Sequence, residues 1–182
     1  LQAGGRAGTG KSALALADFL LPLGDDVLRA TIEQNLQLRN IPEHLLPQVY
    51  DLASQIAPLS SEPRILGSAV ACTGASTCKL GVCLPRGALA AMVNKLKSSH
   101  LDLDRVADLR INLSGCPNSC GAHLTADLGF FGRVARVGQT PYPAYEVVAG
   151  ANLGHGNARF AEPVGTIAAR DLPEFVVEAL AR

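Results

Sequence analysis

The sequence predicts an α+β protein in two parts, residues 1–60 and 61–182. Three observations favour this class. Apolar residues recur at helical spacing near the N-terminus, short apolar segments with strand character follow later, and a well-marked helix ends the chain. The segment Ala57–Pro63 holds two prolines and two serines, a composition typical of a connector. We therefore expect the boundary between the two parts near residue 60.

The first part is predicted to run helix, strand, helix. The apolar face of the first helix is formed by Ala13, Leu16, Ala17, Leu20 and Leu21. Gly24–Asp26 predicts a turn into one strand over Leu28–Leu38. A second helix begins at Pro42 and Glu43. Its apolar face is formed by Leu45, Leu46, Val49, Leu52, Ala53 and Ile56.

The second part begins with the apolar segment Ile65–Ala71. A helix follows, with Leu89, Met92, Val93 and Leu96 on one face. Strands are predicted over Leu109–Leu113, Leu124–Phe131 and Tyr145–Ala149. Mixed helices and strands of this kind indicate an α+β architecture.

The last helix has the clearest start signal. Asp171 is predicted to cap it, Pro173 suits its first turn, and Glu174 completes a D-x-x-E capping pattern. Its buried stripe is predicted to be Leu172, Phe175, Val176, Ala179 and Leu180.

Composition limits the function classes. Of 182 residues 48% are apolar, enough for a sizeable core, and 16 basic residues balance 16 acidic ones. A zero net charge gives no reason to expect a nucleic-acid or anionic-membrane partner. No apolar run approaches the roughly 20 residues of a membrane span, and Leu1–Ala3 does not start a signal peptide. Because the first residue is not methionine, we expect a fragment of a longer protein.

The cysteines indicate a metal site in a reducing compartment. They number five, an odd count that disfavours a secreted disulfide framework and favours a cytoplasmic location. Four of them form two pairs, Cys72 with Cys78 (C-x5-C) and Cys116 with Cys120 (C-x3-C), with 37 residues between the pairs. Four thiolates on loops are what a [4Fe–4S] cube requires. Glycines that let a backbone approach the cluster flank both pairs: Gly74, Gly81, Gly115 and Gly121.

Three other interpretations of these cysteines stay open at this point. Structural zinc also takes four thiolates, although C-x5-C is wide for a zinc knuckle. The cysteines could form disulfides, or some could be small buried apolar residues. Cys83, the fifth cysteine, fits this last description. The four histidines, at positions 44, 100, 123 and 155, show no metal-ligand spacing, and we expect surface positions for all of them.

The cysteine motifs resemble a known family. Ala71–Cys78 and Ser114–Gly121 resemble the cluster-binding signature of sirohaem nitrite and sulfite reductases, and the string G-C-P-N-S-C-G in the second motif is unusual. Ala126–Gly132 looks like the strand that follows this motif in the family. Leu28–Leu36, running on to Ile41–Glu43, is similar to the family's sirohaem-contacting strand.

The resemblance covers nearly the whole chain and implies the C-terminal half of such an enzyme. It implies an incomplete ferredoxin-like half-domain over 1–60 and a mixed-sheet domain binding a 4Fe–4S cluster and sirohaem over 61–182. The implied cluster ligands are Cys72, Cys78, Cys116 and Cys120. Cys120 is implied to bridge the cluster to the sirohaem iron. Electrons are implied to come from ferredoxin or a flavoprotein reductase, for the six-electron reduction of sulfite to sulfide or nitrite to ammonia.

Sirohaem carries several carboxylates, which need cations and N–H donors. Candidate residues on matching motif positions are Arg29, Gln34, Asn35 and Asn118. Arg29 could equally be a solvated strand charge, and Asn118 could only form a turn. The family's substrate-binding basic residues come largely from the other half of the enzyme. We therefore assign no catalytic residue and expect little activity from this chain alone.

Two alternative functions remain. The chain could be a single-cluster electron carrier without haem. Gly5–Ser12 also matches the G-x-x-x-x-G-K-S phosphate loop, in which Lys11 would meet nucleotide phosphates. That motif is persuasive only after a buried strand, and four residues precede it here. We interpret it as a coincidence.

Overall fold

The computed structural model describes residues 10–31, 35–56 and 62–182 and has two compact units, divided between Gly67 and Ser68. Its helices are α1 Gly10–Leu20, α2 Leu46–Ile56, α3 Arg64–Ser68, α4 Pro85–Lys97 and α5 Leu172–Leu180. Its strands are β1 Leu28–Ala30, β2 Leu36–Leu38, β3 Val70–Ala71, β4 Ile111–Ser114, β5 Leu128–Val137, β6 Thr140–Ala149 and β7 Glu162–Ala168. The boundary expected near residue 60 falls among residues 57–61, outside the described part, and stays a prediction.

The first unit has a small core built on the apolar face of α1. Leu16, Leu20 and Val27 are buried there. Partly buried side chains pack against them: Phe19, Leu23, Leu38, Ile41, Leu52 and Ile56. Leu21, predicted to lie on the same face, is 81% exposed. α1 ends at Leu20 and continues as a 3₁₀ turn, whose tighter winding moves Leu21 off the apolar face.

The single strand predicted over residues 28–38 is wrong. The structure has an antiparallel pair instead, with Leu28 opposite Leu38 and Ala30 opposite Leu36. The Thr31 N–H donates to the Asn35 carbonyl at 2.9 Å and helps close the hairpin. A strand needs partners for its backbone N–H and C=O groups, and this segment supplies them by folding back on itself.

The second unit is organised by a mixed five-stranded sheet in the order β3-β4-β5-β6-β7. β3, β4 and β5 are parallel, and β6 and β7 continue the sheet antiparallel. The third predicted strand extends back to Thr140. The second begins at Leu128, because His123–Thr125 forms a 3₁₀ turn. β7 was not predicted. This exposed terminal strand of the sheet contains Pro163, which edge strands tolerate.

Two helices, α4 and α5, pack together beside this sheet. Lys95 of α4 and Glu174 of α5 form an ion pair at 2.5 Å. Phe175 meets Phe130 of β5 edge-on, with ring centroids 6.1 Å apart. The predicted side-chain cap by Asp171 is absent. A 3₁₀ turn over Ala169–Asp171 leads directly into α5, so Asp171 already has helical backbone angles instead of the extended ones that a capping residue adopts.

Candidate metal centre

The sheet places the two cysteine motifs at one edge. β3 and β4 are parallel neighbours, with Ala71 opposite Leu113. Cys72 comes directly after β3, and Cys116 lies two residues after the end of β4. Because parallel neighbours end on the same side of a sheet, the first cysteine of each pair enters the same region.

Hydrogen bonds join the two cysteine loops directly. The Gly115 N–H donates to Cys72 Sγ at 3.1 Å. The Gly115 carbonyl accepts from the N–H groups of Val82 at 2.8 Å and Cys83 at 3.1 Å. Hydrogen bonds to sulfur are one of the ways in which a protein adjusts an iron–sulfur cluster. These contacts hold the two loops together as one unit.

The glycines allow the loops to touch. A Cβ on Gly115 would lie 2.6 Å from the Gly74 Cα, and one on Gly74 would lie 2.5 Å from the Cys83 carbonyl oxygen. Gly74 also has a φ of 57°, a region that glycine adopts readily. A Cβ on Gly121 would lie 2.1 Å from the Leu113 carbonyl oxygen. At these glycines one backbone segment approaches another. The sequence had predicted that they let the backbone approach the cluster.

The four proposed ligands differ in exposure. Cys116 is buried, Cys72 and Cys78 are partly buried, and Cys120 is exposed. All five cysteines lie in the described part and are free thiols, so the structure forms no disulfide between them. Cys83 is 3% exposed, and its thiol donates to the Ala144 carbonyl at 3.4 Å. Burial raises the pKa of this thiol, which keeps it protonated.

A single metal ion and a [4Fe–4S] cube place different demands on four thiolates. Structural zinc requires four ligands around one point. A cube has a separate iron for each thiolate, so its ligands lie farther apart. Over residues 10–31, 35–56 and 62–182, no three His, Cys, Asp or Glu side chains are grouped to hold one ion.

A buried Ser–His pair supports the loop from Cys116 to Cys120. Ser114 and His123 are each 1% exposed, and Ser114 Oγ lies 2.8 Å from His123 Nδ1. Ser114 Oγ also accepts from the Gly121 N–H at 3.0 Å. Burial lowers the pKa of His123 to about 4, so its ring is neutral at pH 7. The surface position predicted for His123 is wrong. The residue is buried against Ser114 of β4, and the sequence does not show that the two residues are close.

Two further contacts hold this segment. The Asn112 side chain donates to the Ala122 carbonyl at 3.0 Å. Arg110 forms two side-chain hydrogen bonds to Asp127, at 2.9 and 3.0 Å, and its backbone N–H donates to the same carboxylate at 2.8 Å. Ser119 and Ala122 have φ angles of 58° and 56°, which non-glycine residues adopt only where surrounding contacts require them.

One buried hydroxyl near the loops has no partner. Tyr145 of β6 is 1% exposed, and its Oη makes no hydrogen bond to any described residue. Burial raises the pKa of this hydroxyl. A buried hydroxyl without a partner requires an explanation, and a group held by the cysteine loops is one.

The residues predicted to bind sirohaem have varied surroundings. Asp26 pairs with Arg29 at 2.7 Å, both side chains being 55% exposed, and Asn118 is exposed. Asn35 has a buried side-chain Oδ1 without a hydrogen-bond partner in the described part of the chain. Gln34 lies outside the described residues, as does most of the phosphate-loop match; Lys11 lies in α1 and is exposed.

Among the helices in the described part of the chain, none has the length and apolar character that a membrane span requires.

Comparison with known proteins identifies two family domains. The model for the nitrite and sulphite reductase 4Fe–4S domain matches residues 66–181, and the model for the nitrite/sulfite reductase ferredoxin-like half domain matches residues 2–55. A ferredoxin–nitrite reductase of Synechococcus elongatus is 31% identical over 164 residues, which are 86% of this chain and 30% of that relative. A sulfite reductase [ferredoxin] 2 of Mycolicibacterium paratuberculosis is 32% identical over 149 residues, 80% of this chain and 27% of the relative.

A solved structure shows the same fold. The Mycobacterium tuberculosis NirA protein superposes with a TM-score of 0.80 at 27% identity, covering 92% of this chain and 31% of that one. The chain thus spans less than a third of the length of these relatives. These matches confirm the predicted α+β class and the predicted cofactors, a [4Fe–4S] cluster and sirohaem, as those of the family. By sequence and by fold, the chain belongs to the nitrite and sulphite reductase 4Fe–4S domain family.

Proposed function

We propose that this chain is the C-terminal part of a sirohaem- and [4Fe–4S]-dependent reductase that converts sulfite to sulfide or nitrite to ammonia with six electrons. The observation that carries the proposal is the hydrogen bond from the Gly115 N–H to Cys72 Sγ. It joins the two cysteine motifs within the segment that the 4Fe–4S family model matches. The relatives' names, a nitrite reductase and a sulfite reductase, supply the two substrates.

The proposed cluster ligands are Cys72, Cys78, Cys116 and Cys120. A bound cluster would pass single electrons at a low potential, which sulfur hydrogen bonds and burial adjust. The exposure of Cys120 supports its proposed role as the ligand shared with the haem iron, because a shared sulfur must be open on its outer side. Ser114 and His123 would hold the backbone on the C-terminal side of Cys120 while both cofactors are bound.

The proposed sirohaem contacts are Arg29, Gln34, Asn35 and Asn118. Arg29 would exchange Asp26 for a haem carboxylate. Because both side chains are exposed, water and salt screen the pair, and giving it up requires little free energy. Asn35 would contribute the two N–H donors of its amide nitrogen.

The proposed partners follow from the length of the chain and the names of its relatives. Ferredoxin, named in two relatives, or a flavoprotein reductase would supply electrons. An N-terminal half would supply the basic residues that hold the substrate anion, so we expect this chain alone to have little or no reductase activity. Free thiols are stable in a reducing compartment, and we propose the cytoplasm.

The test is an anaerobic optical spectrum with iron and sulfide analysis. The chain is co-expressed with an N-terminal half from a relative and with sirohaem synthesis. Four irons, four sulfides and a haem-type Soret band are expected, and Cys120→Ser is expected to change both cofactor signals. Cys83→Ala serves as the matched control, because the Cys83 thiol is buried and donates a hydrogen bond to the Ala144 carbonyl. Its spectrum is expected to match the unsubstituted protein.

Each other outcome has a defined meaning. A complete cluster without a Soret band would favour a haem-free electron carrier. Zinc in place of iron, or no metal, would overturn the reductase proposal. Turnover of sulfite but not nitrite, or the reverse, would identify the substrate.

A further inference from the structure

Tyr145 has an unusual position for a tyrosine. Its side chain is 1% exposed, yet its hydroxyl has no hydrogen-bond partner among the residues that the structure describes. Buried tyrosine hydroxyls usually find a partner, because leaving a donor unpaired away from water is unfavourable. Phenylalanine would fill the same space without this penalty. The hydroxyl therefore requires an explanation.

The strand register places Tyr145 beside the cysteine loops. Tyr145 of β6 pairs directly with Gly132 of β5, and directly paired residues project to the same face of a sheet. On that face a Cβ at Gly132 would lie 2.4 Å from the Gly115 carbonyl oxygen and 2.9 Å from Cys83 Cβ. The space next to Tyr145 is thus occupied by the loop that donates to Cys72 Sγ.

The neighbours of Tyr145 do not use its hydroxyl. Phe130 meets the tyrosine ring edge-on, with centroids 6.4 Å apart, and offers only an apolar surface. The Cys83 thiol donates instead to the Ala144 carbonyl. A tyrosine hydroxyl ordinarily titrates near pH 10, so at neutral pH it keeps its proton and is a donor. Gly115, whose carbonyl approaches Gly132, donates its N–H to Cys72 Sγ, so this geometry directs the search for an acceptor to the side of Cys72.

We propose that Tyr145 Oη donates a hydrogen bond to sulfur on the Cys72 side of the bound cluster and thereby adjusts the cluster's reduction potential. This inference rests on the proposed function, since it requires the cluster. Tyr145 would be a positioning and tuning residue that acts through the cluster, and it would not touch substrate. Together with the Gly115 N–H, it would give the Cys72 side two donors.

The direction of the effect follows from charge. Reduction adds an electron to the cluster, and a hydrogen-bond donor stabilises the more negative state. Removing the donor therefore makes the midpoint potential more negative. It also removes one exchangeable proton from the surroundings of the cluster.

The experiment compares Tyr145→Phe with the unsubstituted, cluster-loaded chain. Iron and sulfide content are measured first, then the midpoint potential by titration, and then exchangeable-proton couplings by electron–nuclear double resonance in H₂O and D₂O. Tyr142→Phe is the control, because it removes a hydroxyl from the same strand at a position outside the buried core. We expect equal cluster content, a more negative potential and one lost coupling in Tyr145→Phe, with no change in Tyr142→Phe.

Unchanged potential and couplings in a fully loaded Tyr145→Phe would overturn the inference and leave the cluster assignment intact. Failure of the unsubstituted chain to take up iron and sulfide would overturn the proposed function itself. Should Tyr145→Phe not load, fluorotyrosine labelling of the loaded, unsubstituted chain decides the question. The chain has three tyrosines, so Tyr142→Phe and Tyr50→Phe show which of them carries the signal. A ¹⁹F coupling to the reduced cluster that persists in both variants comes from Tyr145. Absence of this coupling would refute the contact.

Discussion

The backbone N–H of Gly115 points at the sulfur of Cys72 from 3.1 Å, although 43 residues separate them in the chain. The contact exists because β3 and β4 run parallel and end side by side. It makes the surroundings of one proposed ligand depend on the position of the loop that carries two others. Stability, cluster uptake and redox behaviour are therefore expected to respond to changes at the contact between the loops.

Gly115→Ala is expected to separate the two loops. The added methyl would lie 2.6 Å from the Gly74 Cα, inside van der Waals contact. Overpacking of this kind costs about 1–3 kcal/mol in the free energy of unfolding. Chemical denaturation measures this loss, and cluster uptake is expected to fall with it. Gly87→Ala in α4 is the control, since its methyl meets nothing within 4 Å and alanine favours a helix by roughly 0.5–1 kcal/mol. Equal effects of the two substitutions would contradict the prediction.

Cys83→Ala is expected to leave the cluster intact. The thiol is 3% exposed, stays protonated and donates to the Ala144 carbonyl, so it is not available as a ligand. Iron and sulfide content are expected to equal those of the unsubstituted protein. Cys78→Ala, which removes a proposed ligand, is expected to lower both. In the metal-free chain, iodoacetamide is expected to label the exposed Cys120 much faster than Cys83. Loss of iron in Cys83→Ala would show that the ligand set is misassigned.

His123 is expected to make the stability of the metal-free chain depend on pH. Its pKa is about 4 when folded, against an ordinary value of 6.5. Between these values the unfolded chain binds the proton and the folded chain does not, so stability falls as pH drops from 6.5 towards 4. A shift of this size corresponds to roughly 3 kcal/mol. His123→Gln keeps an acceptor for Ser114 but cannot titrate, and its denaturation profile is expected to be flatter over this range. Parallel profiles would refute the assignment.

Asp127→Asn is expected to weaken the ion pair with Arg110 that joins the starts of β4 and β5. The Arg110 guanidinium beside Asp127 holds the pKa of that carboxyl below its ordinary value. The pair therefore stabilises the fold above the ordinary carboxylate pKa, and this contribution is lost as pH falls through the lowered one. Both side chains are about a third exposed, so we expect a loss of only about 1 kcal/mol at pH 7. Thermal unfolding at pH 7 and at pH 2 measures it, and a loss that is equal at both values would be inconsistent with an ionic contribution.

Much of the fold follows from local patterns. The buried large side chains of α1, α4 and α5 were predicted because helical spacing is visible in one segment. The alanines predicted on these faces, Ala13, Ala17 and Ala179, are exposed, so that part of the prediction is wrong. β7 was missed because Pro163 and an exposed position hide its strand character. The 28–38 segment was predicted as one strand because apolar residues show strand propensity but not which strand will pair with which. Asp171 was misassigned as a cap because its backbone angles depend on the preceding turn.

The candidate site likewise contains residues that the sequence predicted and residues that it did not. Cys72, Cys78, Cys116 and Cys120 were found from their spacing, and Arg29, Gln34, Asn35 and Asn118 from the family resemblance; both sets remain predictions. The Ser114–His123 pair and Tyr145 were not found. Their significance comes from burial and from partners on other strands. A histidine at position 123 carries no signal in one sequence that distinguishes a buried ring from a solvated one.

The sequence by itself determined the two cysteine motifs and the α+β class, because these depend on residue types and short-range spacing. Only the tertiary structure decided that β3 pairs parallel with β4, that Gly115 donates to Cys72, and that Tyr145 is buried with a free hydroxyl. These features arise from contacts between segments tens of residues apart. Their formation depends on how the whole sheet and its helices pack, and no local pattern encodes it.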